Sequence, residues 1–253
     1  MRLPPTPASR ASWECRRLTL FASATISMTN SALRSGLMIS GDATPSASSP
    51  HISGRTAEVK ITFINSAEIS DELLAEWLLE ADENKQREIN RMQQADKRRL
   101  RIAADHLCRA AAAEALGLSP AEVKFGKNEH GKPTTDGIEF NLSHSGNIAV
   151  CAVSGKPVGI DIEALREIRP DVAKRFASAE ELEYIGSDPR RLFEIWTLKE
   201  AYFKCVGTGI GSDIKSVTFT VNGDDIRCSE PGFTCKFISI ADGYICSVCE
   251  KEG

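Results

Sequence analysis

Nowhere in this chain does an apolar run approach the ~20 residues that a membrane-spanning helix requires, so no partner in the bilayer is expected. Charge of one sign is also lacking. A formal net charge of −4 over 253 residues is too mild to announce a polyanionic or polycationic partner. Basic residues do gather between Lys85 and Arg101, but no aromatic side chain interleaves them, and Glu88 and Asp96 interrupt the run. Recognition of single-stranded or duplex nucleic acid is therefore not expected, while a few discrete phosphate contacts remain open. Eight cysteines are too sparse for a disulfide scaffold, which points to reduced thiols and a cytoplasmic setting. Glycine is missing where nucleotide-binding loops need it. The one rich cluster, Gly207-Thr-Gly-Ile-Gly211, follows a helical segment and does not join a strand to a helix, so neither a Rossmann nor a P-loop motif is present. Cys246-Ser-Val-Cys249 has the spacing of a zinc knuckle, yet it falls inside an apparent strand, which argues against convergence on a metal.

What the chain does contain begins with a leader of different composition. Residues 1–57 are rich in Ser, Ala, Thr, Pro and Arg, with Glu14 and Asp42 as the only acids. They are expected to form a disordered leader. A transit peptide, or translated sequence upstream of a start at Met28 or Met38, are the alternatives. Order is expected from Val59, where Val-Lys-Ile-Thr-Phe-Ile alternates apolar and polar residues as a half-buried strand does. Ser70 is placed to cap a helix over Asp71–Glu80. A long Ala-rich helix is expected from Asp96 to Gly117, with Leu100, Ala103, Leu107, Ala111 and Leu116 on its buried face. Ile138–Ser143 and Ile148–Val153 then alternate as two strands around a Ser145-Gly146-Asn147 turn. The remainder beyond Val217 reads as β-strands joined by turns at Asn222-Gly223 and Asp242-Gly243.

Two stretches carry the candidate chemistry. In Val158-Gly-Ile-Asp-Ile-Glu163 the acids are two apart, so Asp161 and Glu163 project from one face of a strand, about 7 Å apart. Such a pair repels unless a cation lies between; a hard divalent ion such as magnesium suits it, and an acidic sheet edge is the plainer alternative. In Phe193–Lys204, Glu200 and Lys204 are four apart on a helix that Asp188 caps, Pro189 opens and Gly207 stops. Three carboxylates with Lys199 and Lys204 beside them suit transfer of a phosphate-containing group. The cations neutralise oxygen charge there, and a carboxylate takes a proton from the nucleophile. With water as nucleophile the same set would describe a pyrophosphate hydrolase, and without catalysis a carrier- or nucleotide-binding module.

Four motifs, in order, are Gly131-Lys132-Pro133, Phe140-Asn-Leu-Ser-His-Ser145, Val158-Gly-Ile-Asp-Ile-Glu163 and Trp196-Thr-Leu-Lys-Glu-Ala-Tyr-Phe-Lys204. Together they resemble the 4′-phosphopantetheinyl transferases of the surfactin-synthetase-activating type, from about Val59 to the C-terminus. The resemblance implies an α+β fold of two pseudo-symmetric halves, each a small antiparallel sheet with a packed long helix. Residues 58–156 would form the N-terminal half and 157–253 the C-terminal half carrying the metal site. It implies transfer of phosphopantetheine from coenzyme A, bound between the halves, to a serine of an apo acyl or peptidyl carrier protein, with release of adenosine 3′,5′-bisphosphate. Asp161, Glu163 and Glu200 would hold Mg2+, Glu200 would act as general base, and Lys204 would assist the leaving phosphate. Lys132, Ser143 and His144 would contact coenzyme A phosphates, His144 the 3′-phosphate, with Lys85 and Arg101 at that same group. Glu88 departs from the family pattern at a position where relatives carry lysine. A chain with both halves would work as a monomer.

Overall fold

The computed structural model describes residues 22–27, 58–209 and 211–253. The expectations placed on the rest of the leader, including the starts at Met28 and Met38, lie outside the described residues. In chain order the strands are β1 (Ala22–Ser27), β2 (Glu58–Asn65), β3 (Gly126–Lys127), β4 (Pro133–Thr134), β5 (Glu139–Ser145), β6 (Ile148–Ser154), β7 (Val158–Ala164), β8 (Phe219–Asn222), β9 (Asp225–Cys228), β10 (Phe233–Phe237) and β11 (Tyr244–Lys251). The helices are α1 (Asp71–Glu80), α2 (Glu83–Asn90), α3 (Ala95–Leu116), α4 (Ala179–Ile185) and α5 (Pro189–Val206). Strand β1 was not anticipated. It lies within the supposed leader and pairs antiparallel with β2, from Ala22 opposite Phe63 to Ser27 opposite Glu58. Its Ala-Ser-Ala-Thr-Ile-Ser sequence alternates apolar and polar residues, but alanine at two of the three apolar positions makes the signal weak.

The helix boundaries follow from capping chemistry. Ser70 Oγ accepts from Leu73 N at the start of α1, and Asp82 Oδ1 from Lys85 N at the start of α2. Ser178 and Glu181 form a reciprocal capping box on α4. Asp188 Oδ1 accepts from Arg190 N at 2.8 Å, and Pro189 fills the first position of α5, where its missing N–H costs nothing. Gly207 ends α5 at φ +83°, a left-handed conformation that favours glycine.

Two antiparallel sheets stack face to face between two long helices. The first sheet has the order β1-β2-β6-β5 and the second β10-β11-β7, with β3-β4 and β8-β9 as separate hairpins. Leu100, Ala103, Leu107 and Ala111 of α3 cover the outer face of the first sheet, against Phe140, Ala149, Cys151 and Val153. The inner faces meet through Ile61, Val150 and Ala152 on one side and Ile160, Ile162 and Val248 on the other. Leu198, Ala201 and Cys205 of α5 cover the outer face of the second sheet, against Cys235, Ile245 and Cys249. This is the expected α+β architecture of sheet-and-helix halves, with Pro157 lying between β6 and β7, which belong to different sheets.

Helix α5 and strand β7 approach as closely as backbone allows. A Cβ built on Gly159 would stand 2.0 Å from Ala201 O and 2.4 Å from Cys205 N, so only glycine fits there. The cysteines depart from the expected reduced state at one place. Cys235 and Cys249 face each other across β10 and β11 and form a disulfide. Cys108, Cys151, Cys205, Cys228 and Cys246 are free thiols, and Cys15 lies outside the described residues. Cys246 packs among the residues between the sheets while Cys249 faces α5. Three positions apart on a strand they point to opposite faces, which removes the zinc geometry.

Candidate active site

A cavity of about 830 Å³ opens where β5, β7, α2, α3 and α5 meet. Of the residues expected at a site, Lys85, Arg101, Ser143, His144, Asp161, Glu163, Glu200 and Lys204 all line it. Lys132 is not in the lining. It follows the β3-β4 turn, where its ammonium lies 3.5 Å from Val158 O and 4.0 Å from a Glu139 oxygen. Lys199, expected beside the carboxylates, is also elsewhere. It is fully buried on another face of α5, 2.8 Å from Glu181, and it donates to Ile214 O at 2.9 Å and Val217 O at 2.6 Å. Consecutive helical residues diverge by about 100°, so Lys199 cannot share the face of Glu200, whereas Lys204, one turn on, does.

At the acidic end, the alternation of β7 sends Ile160 and Ile162 into the inter-sheet core and Asp161 and Glu163 to the cavity. Asp161 Oδ1 accepts from Ser143 Oγ at 2.7 Å and from Lys204 Nζ at 2.6 Å. Among the described residues, its Oδ2 is buried with no hydrogen-bond partner. Burial pushes the Asp161 carboxyl above its ordinary value, against the pull of Lys204. Glu163 Oε2 accepts from Ser145 Oγ at 3.0 Å and Arg166 Nη1 at 2.9 Å. Glu200 is pushed up to about 7, first by burial and then by the negative charges of Asp161 and Glu163. Lys204, bonded to Asp161, opposes that rise.

The residues can be tested against a divalent cation. Among the described residues, no three acid, histidine or cysteine side chains stand gathered as a ligand cluster. Lys204 and Arg166 instead occupy one oxygen each of Asp161 and Glu163. Three carboxylates lining one cavity, with an orphaned buried oxygen on Asp161, nevertheless supply the hard donors that magnesium takes. The donor chemistry fits.

The remainder of the wall is basic and mixed. His144 is exposed at the end of β5, and partial desolvation together with Arg101 holds its imidazole below the ordinary value. Glu88 lies 3.5 Å from Lys85 and 3.4 Å from Arg101, so the two cations share one carboxylate. Sequence reasoning missed Asp105 and Arg109 in this wall. Burial raises the Asp105 carboxyl, and Arg109 opposes that shift most strongly. Arg109 also donates to Val123 O at 3.2 Å and lies over the Phe125 ring. A signal existed in the polar row Arg101, Asp105, Arg109, spaced by four along an otherwise Ala- and Leu-rich helix.

Residues 70–156 match the family model described as 4′-phosphopantetheinyl transferase, N-terminal, and residues 157–249 that of the 4′-phosphopantetheinyl transferase superfamily. A 4′-phosphopantetheinyl transferase of Bacillus subtilis is 38% identical over 128 residues, 47% of this chain and 57% of that protein. The gsp 4′-phosphopantetheinyl transferase of Aneurinibacillus migulanus is 36% identical over 147 residues, 54% of this chain and 62% of its own length. One from Bacillus pumilus is 34% identical over 152 residues, 55% of this chain and 65% of its own. The chain thus spans less than two thirds of the length of these relatives. The two family models meet end to end across β6 and β7 and take in every residue of the cavity wall; the chain belongs to the 4′-phosphopantetheinyl transferase superfamily.

Proposed function

We propose that the chain transfers the 4′-phosphopantetheine group of coenzyme A to a serine hydroxyl of an apo acyl or peptidyl carrier protein, with magnesium and as a monomer. The observation that carries this is one cavity lined by two chemically distinct groups of side chains. Asp161, Glu163, Glu200 and Lys204 form one group, Lys85 and Arg101 another, and His144 stands in the field of both Arg101 and Lys204. A pyrophosphate with a further phosphate on its nucleoside spans such a pair. Magnesium, held by Asp161, Glu163 and Glu200, would neutralise the pyrophosphate oxygens when bound.

The serine oxygen bonds to the phosphorus that carries pantetheine, and the P–O bond to the adenosine 5′-phosphate breaks. Glu200, near 7, takes the serine proton, which suits a base working close to neutral pH. Lys204 stabilises the electron pair that leaves with adenosine 3′,5′-bisphosphate, from a position fixed by Asp161 and Ile160 O. Lys85, Arg101 and His144 hold the 3′-phosphate. Because coenzyme A and carrier proteins meet inside cells, the reaction implies a cytoplasmic setting.

Mass spectrometry of several apo carriers incubated with the protein, coenzyme A and magnesium tests this. A gain of one phosphopantetheine, about 340 Da of covalent mass, is expected on the cognate carrier. Asp161→Ala and Glu200→Gln should abolish the gain while remaining folded. Undiminished labelling by either variant refutes the assigned roles, and release of phosphopantetheine without any carrier replaces transfer by hydrolysis.

A further inference from the structure

Strands β5 and β7 lie side by side at the edges of their two sheets, and no backbone ladder joins them. The outer edge of β7 presents the amides of Ile160, Ile162 and Ala164, since its other edge pairs with β11. Side chains of β5 meet all three. Asn141 Oδ1 accepts from Ile160 N at 3.0 Å, Ser143 Oγ from Ile162 N at 3.4 Å, and Ser145 Oγ from Ala164 N at 3.0 Å. Each rung spans the same 19 residues, so the two strands run parallel in one fixed register. Alternation along β5 places Asn141, Ser143 and Ser145 on one face, which is why consecutive rungs fit.

The two serine rungs repeat one further motif. A hydroxyl has a single proton to donate, and accepting the amide fixes where that proton goes. Ser143 donates to Asp161, and Ser145 donates to Glu163, in each case the residue before the amide it accepts. Each carboxylate thus has one oxygen tied. At Glu163 both bonds, from Ser145 and Arg166, land on Oε2. At Asp161 the bonds from Ser143 and Lys204 land on Oδ1, and the buried Oδ2 is left without a partner.

We infer that Ser145 is a positioning residue for the cation site. By tying Glu163 Oε2 and the Ala164 amide together, it holds the second oxygen of Glu163 for a divalent ion in the way that Ser143 holds that of Asp161. The inference rests on the cation reading above and concerns a residue that touches neither the reacting atoms nor the cation. Outer-shell hydrogen bonds of this kind alter metal affinity by about 10- to 100-fold.

The test measures cation affinity directly, with Mn2+ as the probe, by electron paramagnetic resonance on the full chain without coenzyme A or carrier. Ser145→Ala is expected to weaken Mn2+ binding at least about 10-fold. Ser145→Thr, which keeps the hydroxyl, should stay within about 3-fold of the original chain, a shift that leaves the outer-shell bond in place. Unfolding of each variant is followed with and without Mn2+. A residue that merely joins the sheets would lower the melting temperature equally in both conditions and leave affinity untouched, and that outcome overturns the inference. Equal weakening in the Thr and Ala variants also overturns it. Absence of Mn2+ binding by the unmodified chain would instead remove the cation reading on which the inference stands.

Discussion

Gly159→Ala should separate helix α5 from the strand that carries Asp161 and Glu163. The new Cβ would meet Ala201 O at 2.0 Å and Cys205 N at 2.4 Å, where ordinary contacts begin at 3.4 Å. Both obstacles are backbone of α5, so no side chain can swing aside, and the helix must withdraw by more than about 1 Å at that point. Lys204 lies on the same helix, and its 2.6 Å bond to Asp161 crosses the widened gap. Displacements near 1 Å in an aligned site cost on the order of 100-fold in rate. Forcing one carbon into a packed core costs roughly 1–3 kcal/mol of stability, which leaves the protein folded at moderate temperature. The assay is the initial rate of carrier labelling at saturating coenzyme A, beside a thermal melt. Gly155→Ala is the control, since no atom of the described residues lies within 4 Å of its added carbon. Its rate and melting temperature should stay unchanged. Wild-type turnover and stability in Gly159→Ala would refute the claim that this contact sets the distance between α5 and β7.

Lys199→Met should destabilise the chain by about 3–5 kcal/mol, because Glu181 would remain fully buried without its cation. Glu181 cannot turn outward, since its oxygens also accept from Ser178 N at 2.7 Å and Phe219 N at 2.8 Å. Denaturant titration measures the loss, and a change below about 1 kcal/mol would refute it. In the cation-free chain the Glu200 carboxyl should lose its proton through about 7, because burial and the charges of Asp161 and Glu163 raise it. Carbon-13 NMR of the cation-free chain follows that titration, and a Glu200 carboxyl already ionised at pH 5.5, about 1.5 units below the midpoint, would refute the raised value.

Local chemistry made much of this legible before any coordinates. Asp188, Pro189 and Gly207 announce both ends of α5, and Ser70 and Ser178 announce α1 and α4. The two-residue spacing of Asp161 and Glu163 and the four-residue spacing of Glu200 and Lys204 place each pair on one face without tertiary knowledge. What escaped the sequence depends on partners distant in the chain. Lys199 and Glu181 are 18 apart on different helices, and adjacency to Glu200 misleads about where Lys199 points. The cysteines at 235 and 249 meet through the register of an antiparallel pair, which no spacing rule specifies. Strand β1 alternates mostly small apolar residues with polar ones, and its pairing with β2 is what completes it. Lys132 sits in a recognisable turn, but where that turn points is a property of the packing beneath it.

These omissions share a cause that also explains the site. Strand β7 is fixed on every side by a different kind of contact. One edge pairs with β11, and the other is held by three side chains of β5. One face packs Ile160 and Ile162 between the sheets, and Gly159 admits the backbone of α5. None of these partners is close in sequence apart from β5, and each removes a different freedom: register, tilt or distance from the helix. Three carboxylates that repel one another hold a defined arrangement only on such a support, since the repulsion that adds to burial in raising Glu200 also pushes the side chains apart. The glycine and the serines around Asp161 are therefore as much a part of the proposed chemistry as the acids. Replacing an acid removes a ligand or a base, whereas replacing Gly159 or Ser145 leaves every charged group present and changes only where it stands.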